Sequence, residues 1–512
     1  MDPGMIVGVC GAGTMGAGIA QLGCQAGART RLYDPVPAAL ERGAERVVRR
    51  LKDAAPARLL EPVATLDRLA DCDIVIEAAP ERLELKHELL TAVAAIVRDD
   101  CVLATNTSSL PVTAVAAGVP GPERVVGMHF FNPPPLMRLV EVVAGARSSE
   151  AAIARAAELG AAMDRRVIRA ADVTGFLVNR CSRPFNLEAL GALTERMADI
   201  ETIDRIYRLG GGFRMGPFEL MDLVGIDVGF AVSESFYVQS FGEPRWRPSP
   251  LMARKVASGQ HGRKTGQGWY DHSDGPYRPA DPPVPAAAPG GLVVIGGELA
   301  IAHELRLLGD DAGWDVRVPE EVDGEVPALI LDCGDAGEAP LQGGPQAILL
   351  AEGSLAELDG GGGSVGFHAL PPLEAGGLVE LTRGRDSTDV AARAAERFFH
   401  SCGLHTAWVR DAPGLVLGRA VGQLVNEAAF ALDQGVGRAD EIDDGMVLGL
   451  NHPRGPLRWG DLIGLDHVLA VLDALYDERR EERYRAAPLL RRLVAEGRTG
   501  LLAGEGFHVH EP

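Results

Sequence analysis

Over its first third the chain alternates short apolar runs with longer amphipathic stretches. Ile6-Val7-Gly8-Val9-Cys10 reads as a buried strand; a Gly-rich turn and an Ala/Leu-rich helical stretch follow to about Ala26, and Thr30 to Tyr33 gives a second short strand. Asp73 to Ala79 and Cys101 to Asn106 read as two more buried strands, with a helix from Glu81 to Val97 between them. Such βαβ alternation predicts a parallel sheet with right-handed crossovers, whose ligands sit at the carboxyl ends of the strands. From about Ala170 the pattern changes to amphipathic helices. It changes again at residues 281–291, Asp-Pro-Pro-Val-Pro-Ala-Ala-Ala-Pro-Gly-Gly, which has the composition of a linker.

The 512 residues allow about three to four domains of ~150 residues. A hydrophobic content of 46% with 24% charged residues is that of a folded, soluble chain. The net charge of −21 argues against nucleic acid or an anionic membrane as a partner. No secretory signal and no apolar run of roughly twenty residues is visible. The seven cysteines show no C-x-x-C spacing, so they are expected to be reduced thiols in a cytoplasmic protein, without a metal site.

Candidate chemistry collects at the predicted strand ends. Gly11-Ala12-Gly13-Thr14-Met15-Gly16 lies between strand and helix, where glycines let the backbone approach a pyrophosphate and the helix amino terminus supplies N–H groups. Asp34, at the end of the second strand, can accept from a ribose 2′-OH and would repel a 2′-phosphate, so NAD is expected rather than NADP. Glu77, Glu81, Lys86 and Asn106-Thr107-Ser108-Ser109 fall on the same edge. His129 ends a further apolar run, and Glu141 follows twelve positions later inside Leu139-Val140-Glu141-Val142-Val143, where a glutamate is unusual. A histidine oriented by a carboxylate suits general base chemistry near neutral pH. Arg46, Arg49, Arg50, Lys52 and Arg58 form a basic island, either a solvated helix face or a dock for an anionic group such as coenzyme A phosphates.

The strings GAGTMG, TNTSS, HFFNPPPLMRLVEVV, TGFLVNR, MGPFELMDLVGID and GRKTGQGWYDH, in that order over roughly residues 5 to 272, resemble the (S)-3-hydroxyacyl-CoA dehydrogenase family. The resemblance implies an NAD-dependent enzyme that oxidises the 3-hydroxy group of an acyl-CoA thioester. It makes His129 the base, Glu141 its partner, and Ser108 and Asn179 the groups binding the reacting oxygens. Around the cofactor it implicates Gly11, Gly13, Thr14, Met15, Gly16, Asp34, Glu81, Lys86, Asn106, Ser108, Asn132 and Lys264. The two-copy layout resembles bacterial enzymes of phenylacetate or short-chain acyl-CoA breakdown. Two other functions are weighed beside it: a dehydrogenase of a free hydroxy or sugar acid, and an NAD-responsive binding protein without turnover.

The chain also repeats itself. Asp172/Asp411, Gly175/Gly414, Arg180/Arg419, Glu188/Glu427, Asp204/Asp443, Gly216/Gly455, Asp222/Asp461 and Asp227/Asp466 share one spacing, as do His129/His368 and Glu141/Glu380. The second copy starts at Gly291-Leu292-Val293-Val294-Ile295-Gly296-Gly297-Glu298 without G-x-G-x-x-G, and it has Gly418 where the first has Asn179. The expected fold is therefore α/β plus all-α: a Rossmann-like NAD-binding domain at 1–170 and a helical domain at 171–272. A linker at 273–290 leads to a degenerate, shortened Rossmann-like domain at 291–408 that does not bind NAD, and a second helical domain at 409–512. The copy is expected to keep a His368–Glu380 pair, either as a fold-stabilising relic or lining a second, altered ligand site, and to act as an intramolecular pseudo-dimer partner, with a homodimer of the whole chain still open.

Overall fold

The computed structural model describes residues 4–52, 55–334, 343–359 and 362–511. They divide into two compact units, Met1–Arg180 with Gln434–Leu450, and Cys181–Asp433 with Asn451–Pro512.

The first unit is built on eight strands: β1 (Ile6–Cys10), β2 (Arg29–Tyr33), β3 (Leu60–Val63), β4 (Ile74–Glu77), β5 (Val102–Thr105), β6 (Val125–Phe130), β7 (Leu139–Ala144) and β8 (Arg166–Ala171), in the order β3-β2-β1-β4-β5-β6-β7-β8. Their apolar side chains are buried on both faces under flanking helices, as continuous Val/Ile/Leu runs require. The strands expected to be parallel pair that way, whereas the later strands β6 and β7 pair antiparallel. Only residues 131–138 join them, too few for the crossover of a dozen or more residues that a parallel return needs. That reversal places His129 directly opposite Glu141. Strand β3 was not anticipated: Leu60-Glu61-Pro62-Val63 lacks a strand pattern, and its proline is tolerated because β3 is an edge.

Helix Ala439–Leu450 also belongs to this unit. The Ala171 amide donates to the Val436 carbonyl at 3.0 Å, the Arg169 amide to Glu441 at 3.2 Å, and Arg166 Nε to Asp444 at 2.8 Å.

The second unit carries β9 (Leu292–Gly296), β10 (Asp315–Arg317), β11 (Leu329–Asp332), β12 (Gln346–Leu349), β13 (Val365–His368), β14 (Leu378–Arg383) and β15 (His405–Trp408), ordered β10-β9-β11-β12-β13-β14-β15. This is the first order again without the outer strand, including an antiparallel β13/β14 pair with His368 opposite Glu380. Residues 276–290 form no helix or strand but are fastened down: Asp281 takes Arg208 at 2.6 Å and the Ala288 carbonyl takes Arg397 at 2.9 Å. Among the described residues no helix is long and apolar enough to cross a membrane.

Helices Arg183–Thr194 and Leu417–Asp433 pack together in this unit around buried charge. Arg419 Nε donates to Glu188 at 2.6 Å with both side chains buried; Arg483 reaches the other Glu188 oxygen, and Arg245 pairs with Glu427 at 2.7 Å. Glu188 and Glu427 are 239 positions apart in sequence, and Arg245 and Arg483 are 238, so one kind of ion pair is made twice. Removing one partner of such a pair leaves an uncompensated buried charge. Glu188→Ala is therefore expected to lower the unfolding free energy by roughly 3–5 kcal/mol in urea titration; a loss below about 1 kcal/mol, the worth of an exposed pair, would contradict this reading.

Candidate active site

Adjacent register partners at the strand ends align Cys10, Glu77 and Thr105, with Gly127 next on β6, and so bring the predicted residues of the first unit to one sheet edge. His129 Nδ1 lies 2.6 Å from Glu141 Oε2. Glu141 is fully buried, and its Oε1 accepts the amides of Leu177 at 3.1 Å and Val178 at 3.0 Å. Those amides are aimed by the preceding turn, where Gly175 (φ 74°) and Phe176 (φ 51°) are both left-handed. Successive N–H groups in such a turn form an anion-binding concavity, and the unusual φ at a phenylalanine marks a turn held by its surroundings. The ring of Phe131 packs against His129, tilted by 51° at 4.5 Å between centroids, and Phe176 stands at 6.0 Å. With Nδ1 given to the carboxylate, Nε2 is the ring nitrogen left to exchange a proton.

Beside this pair the Thr107-Ser108-Ser109 loop is organised by Glu81. One oxygen, Oε1, accepts from Thr107 Oγ1 at 2.6 Å, the Ser108 amide at 2.9 Å, and the Ser109 amide and hydroxyl at 3.0 Å each. Burial works against the Glu81 charge, but the Lys86 ammonium and these donors outweigh it and hold the carboxyl below its usual range. Lys86 is 1% exposed, shared between Glu77 at 2.8 Å and Glu81 at 3.3 Å. Both residues thus serve as internal supports of the loop. Glu77, given no role from the sequence, is the keystone: it also takes Thr105 Oγ1 and the Ala79 amide, each at 2.6 Å. Its signal was the one that exposed Glu141, a glutamate closing an apolar strand. Asn179 Nδ2 donates to the Ser108 carbonyl at 3.4 Å, and Asn106 Oδ1 accepts from the Phe130 amide at 2.9 Å, bracing the end of β6 next to His129.

The glycine loop fits a dinucleotide. Gly11 has φ 107°, and a Cβ there would lie 2.6 Å from the Ala78 carbonyl; at Gly16 it would lie 1.8 Å from the Gly11 carbonyl. A Cβ at Gly13 would meet nothing within 4 Å, so that glycine borders open space at the start of helix Thr14–Gln25, which no side chain caps. Uncapped first-turn amides beside an open backbone are the donors a pyrophosphate takes. Asp34 accepts from Ala12 N at 2.8 Å and Val36 N at 2.9 Å, which places its carboxylate against the loop. Thr14 is exposed and Met15 half-buried on the same turn, and Arg46 reaches Thr14 Oγ1 at 3.4 Å. Asn132 is exposed just past β6. Lys264 belongs to the other unit, where its ammonium contacts both Asp227 oxygens, at 2.5 and 2.7 Å.

The expected His368–Glu380 pair requires correction. The two residues face each other across β13 and β14, yet His368 Nε2 lies 3.1 Å from His467 Nε2 and its Nδ1 has no hydrogen-bond partner among the described residues. Both oxygens of Glu380 are given to the amides of Val416 at 2.8 Å and Leu417 at 2.9 Å. The cause is Gly418, at the position of Asn179: a Cβ there would sit 2.2 Å from His368 Cε1, so the ring occupies space that a larger side chain would fill. His467 stands where the first copy has Val228. The second loop also departs from the first. Gly297 keeps a left-handed turn, but Leu299 caps the helix where Gly13 does, and Arg306 donates to the carbonyls of Ile295 and Gly297 beneath it.

A Gly-rich strand–loop–helix with an acid after the second strand, and a histidine–carboxylate pair at the same sheet edge, define a dinucleotide-dependent oxidoreductase fold. The family model of the 3-hydroxyacyl-CoA dehydrogenase NAD binding domain matches residues 6–173, and that of the C-terminal domain matches twice, at 175–272 and 414–510. The chain is 35% identical over 501 residues to 3-hydroxyadipyl-CoA dehydrogenase of Escherichia coli K12, covering 95% of this chain and 96% of that one. It is 38% identical to 3-hydroxybutyryl-CoA dehydrogenase of Mycobacterium tuberculosis, over 52% of this chain and 98% of the relative. A crystal structure of 3-hydroxybutyryl-CoA dehydrogenase from Escherichia coli K12 superposes with a TM-score of 0.80 at 34% identity, covering 96% of this chain and 99% of that one. The chain belongs to the 3-hydroxyacyl-CoA dehydrogenase family, as an NAD-dependent enzyme.

Burial depresses both histidines of this buried pair, His368 well below its ordinary value and His467 to about 4. They stay neutral in the folded chain while the unfolded chain binds protons below about 6.5, so stability falls as pH drops from about 6.5 towards 4. Urea midpoints at pH 7 and 4.5 are expected to show that fall in the wild type and a shallower one in His467→Leu; equal slopes would rule out this linkage.

Proposed function

We propose that the chain oxidises a (S)-3-hydroxyacyl-CoA to the 3-oxoacyl-CoA, with the first copy as the competent site. The 2.6 Å bond between His129 and the buried Glu141, beside the glycine loop, carries this reading. Bound NAD would accept the hydride from C3 of the substrate. Gly11 to Gly16 and Asp34 would hold it, with Asn132 as a further contact. The chain supplies the proton chemistry. His129 Nε2 takes the proton of the 3-hydroxyl as the C3–H bond breaks, and Glu141 keeps Nδ1 protonated and stabilises the imidazolium. Ser108 and Asn179, neutral donors next to the base, orient the reacting oxygens without shifting its charge. Glu81 and Lys86 act from beneath, through the Ser108 loop.

The substrates to test first are 3-hydroxyadipyl-CoA and 3-hydroxybutyryl-CoA, the compounds for which the similar enzymes are named. This would place the enzyme in short-chain, dicarboxylyl-CoA or phenylacetate catabolism, and seven free cysteines agree with a cytoplasmic setting. The basic residues around Arg46 are candidates for the coenzyme A phosphates. We also read the second half as a duplicate of the first that has become a structural partner, an intramolecular pseudo-dimer. The repeated strand order, the paired Glu188 and Glu427 clusters and the twofold family match support this.

NADH formation across a panel of 3-hydroxyacyl-CoAs tests the activity; fast turnover of free hydroxy acids beside slow turnover of every thioester would replace this reading. His129→Gln is expected to lower kcat by about 100-fold or more with NADH binding retained, the scale of a lost general base. His368→Gln is expected to leave kcat within about twofold, and a collapse matching that of His129→Gln would make the second copy catalytic.

A further inference from the structure

Helix Ala439–Leu450 lies in the second half of the sequence, yet it packs in the unit that holds His129 and Glu141. It approaches through glycine. A Cβ on Gly445 would stand 2.8 Å from Val178 Cγ2 and 3.3 Å from Ile168 Cδ1; one on Gly449 would stand 2.8 Å from Leu139 Cδ2, and 3.4 Å from both Phe131 Cε1 and Val178 Cγ1. Gly437, just before the helix, meets Leu177 at 3.0 Å in the same way. A glycine inside a helix costs about 1 kcal/mol relative to alanine, so two in a twelve-residue helix call for a packing reason.

The residues touched are the ones that set the His–Glu pair. Leu177 and Val178 donate their amides to Glu141, Phe131 packs against His129, and Leu139 opens the strand that carries Glu141. The helix is held in register by Arg169 N on Glu441, Ala171 N on Val436 O and Arg166 on Asp444. The other unit has the reciprocal arrangement: residues Ile206–Gly210 of the first half lie against β14, with a Cβ at Gly210 falling 3.1 Å from Leu378 O. Gly210 and Leu378 correspond to Gly449 and Leu139 by the repeat spacing. The halves have exchanged one helical segment each, and only the segment from the second half reaches an intact His–Glu pair.

We propose that Gly445 and Gly449 are positioning residues for the dehydrogenase reaction, so that the second half serves the first by clamping the turn whose amides orient Glu141. The proposal rests on the assignment of His129 as base.

The test is made on the full-length chain. Gly445→Ala is expected to lower kcat by about 10- to 100-fold, the scale of a roughly 1 Å misplacement, with the NADH dissociation constant unchanged within about twofold. It should also shift the acidic limb of the kcat–pH profile and speed deuterium exchange at the Leu177 and Val178 amides. Adding Val178→Ala, which vacates the volume the new methyl needs, should restore kcat and protection; general destabilisation would not be rescued this way. Should Gly445→Ala fail to fold, Asp444→Asn loosens the helix from Arg166 without a core clash and should raise the same exchange. Full kcat together with unchanged exchange in both single variants would overturn the proposal. If the wild type reduces NAD with no 3-hydroxyacyl-CoA, the functional assignment fails by itself, and exchange at 177–178 still decides whether the helix clamps the turn.

Discussion

One buried carboxylate ties the first unit together. Glu141 lies fully buried on β7, beside the edge strand β8, and spends one oxygen on His129 of β6 and the other on the amides of Leu177 and Val178. A buried polar group in such a place is tolerated only when hydrogen bonds replace its lost water. Meeting that requirement fixes the histidine tautomer, the left-handed turn at Gly175-Phe176 and the start of the helix that carries Asn179. The serine loop is built on the same logic, with Glu81 holding Thr107, Ser108 and Ser109 while Lys86, shared with Glu77, compensates its charge from below.

The second sheet separates the structural part of this arrangement from the chemical part. Glu380 makes the same two amide bonds, to Val416 and Leu417 after a left-handed Gly414-Leu415 turn, so the carboxylate is needed to close the fold there too. What it lacks is the histidine. With Gly418 in place of an asparagine, the His368 ring moves over the helix and meets His467, and both rings are sealed from water. A glutamate at this strand position therefore reports the turn it anchors, and it bonds a histidine only where its second oxygen is left for one.

The exchange of helical segments gives this comparison a mechanical meaning. Residues 206–210 press on β14 and residues 439–450 on β7 and β8, through glycines at matching positions, while Glu188 and Glu427 each bury at least one arginine from the other half. Broken singly, such buried pairs cost far more than surface ones.

Much of this was legible in the chain itself. Alternating buried strands and helices, a Gly-rich turn followed by Asp34, and the His129–Glu141 spacing reflect local rules, since strand period, turn chemistry and helix amino termini are set by residues a few positions apart. The repeat spacing likewise exposed the second helical segment and the altered loop at Glu298 and Leu299. Tertiary structure decided the rest, wherever a residue's role depends on partners far away in sequence. The antiparallel return of β7, the support of the Ser108 loop by Glu81 and Glu77, the edge strand at Leu60–Val63 and the crossing of residues 439–450 are of this kind. So is the fate of the second histidine: His368 and Glu380 occupy the same positions in the chain as His129 and Glu141, and only the space over Gly418 and the imidazole of His467 draw them apart. Spacing along a strand determines which residues face one another, whereas the volume around them determines whether they bond.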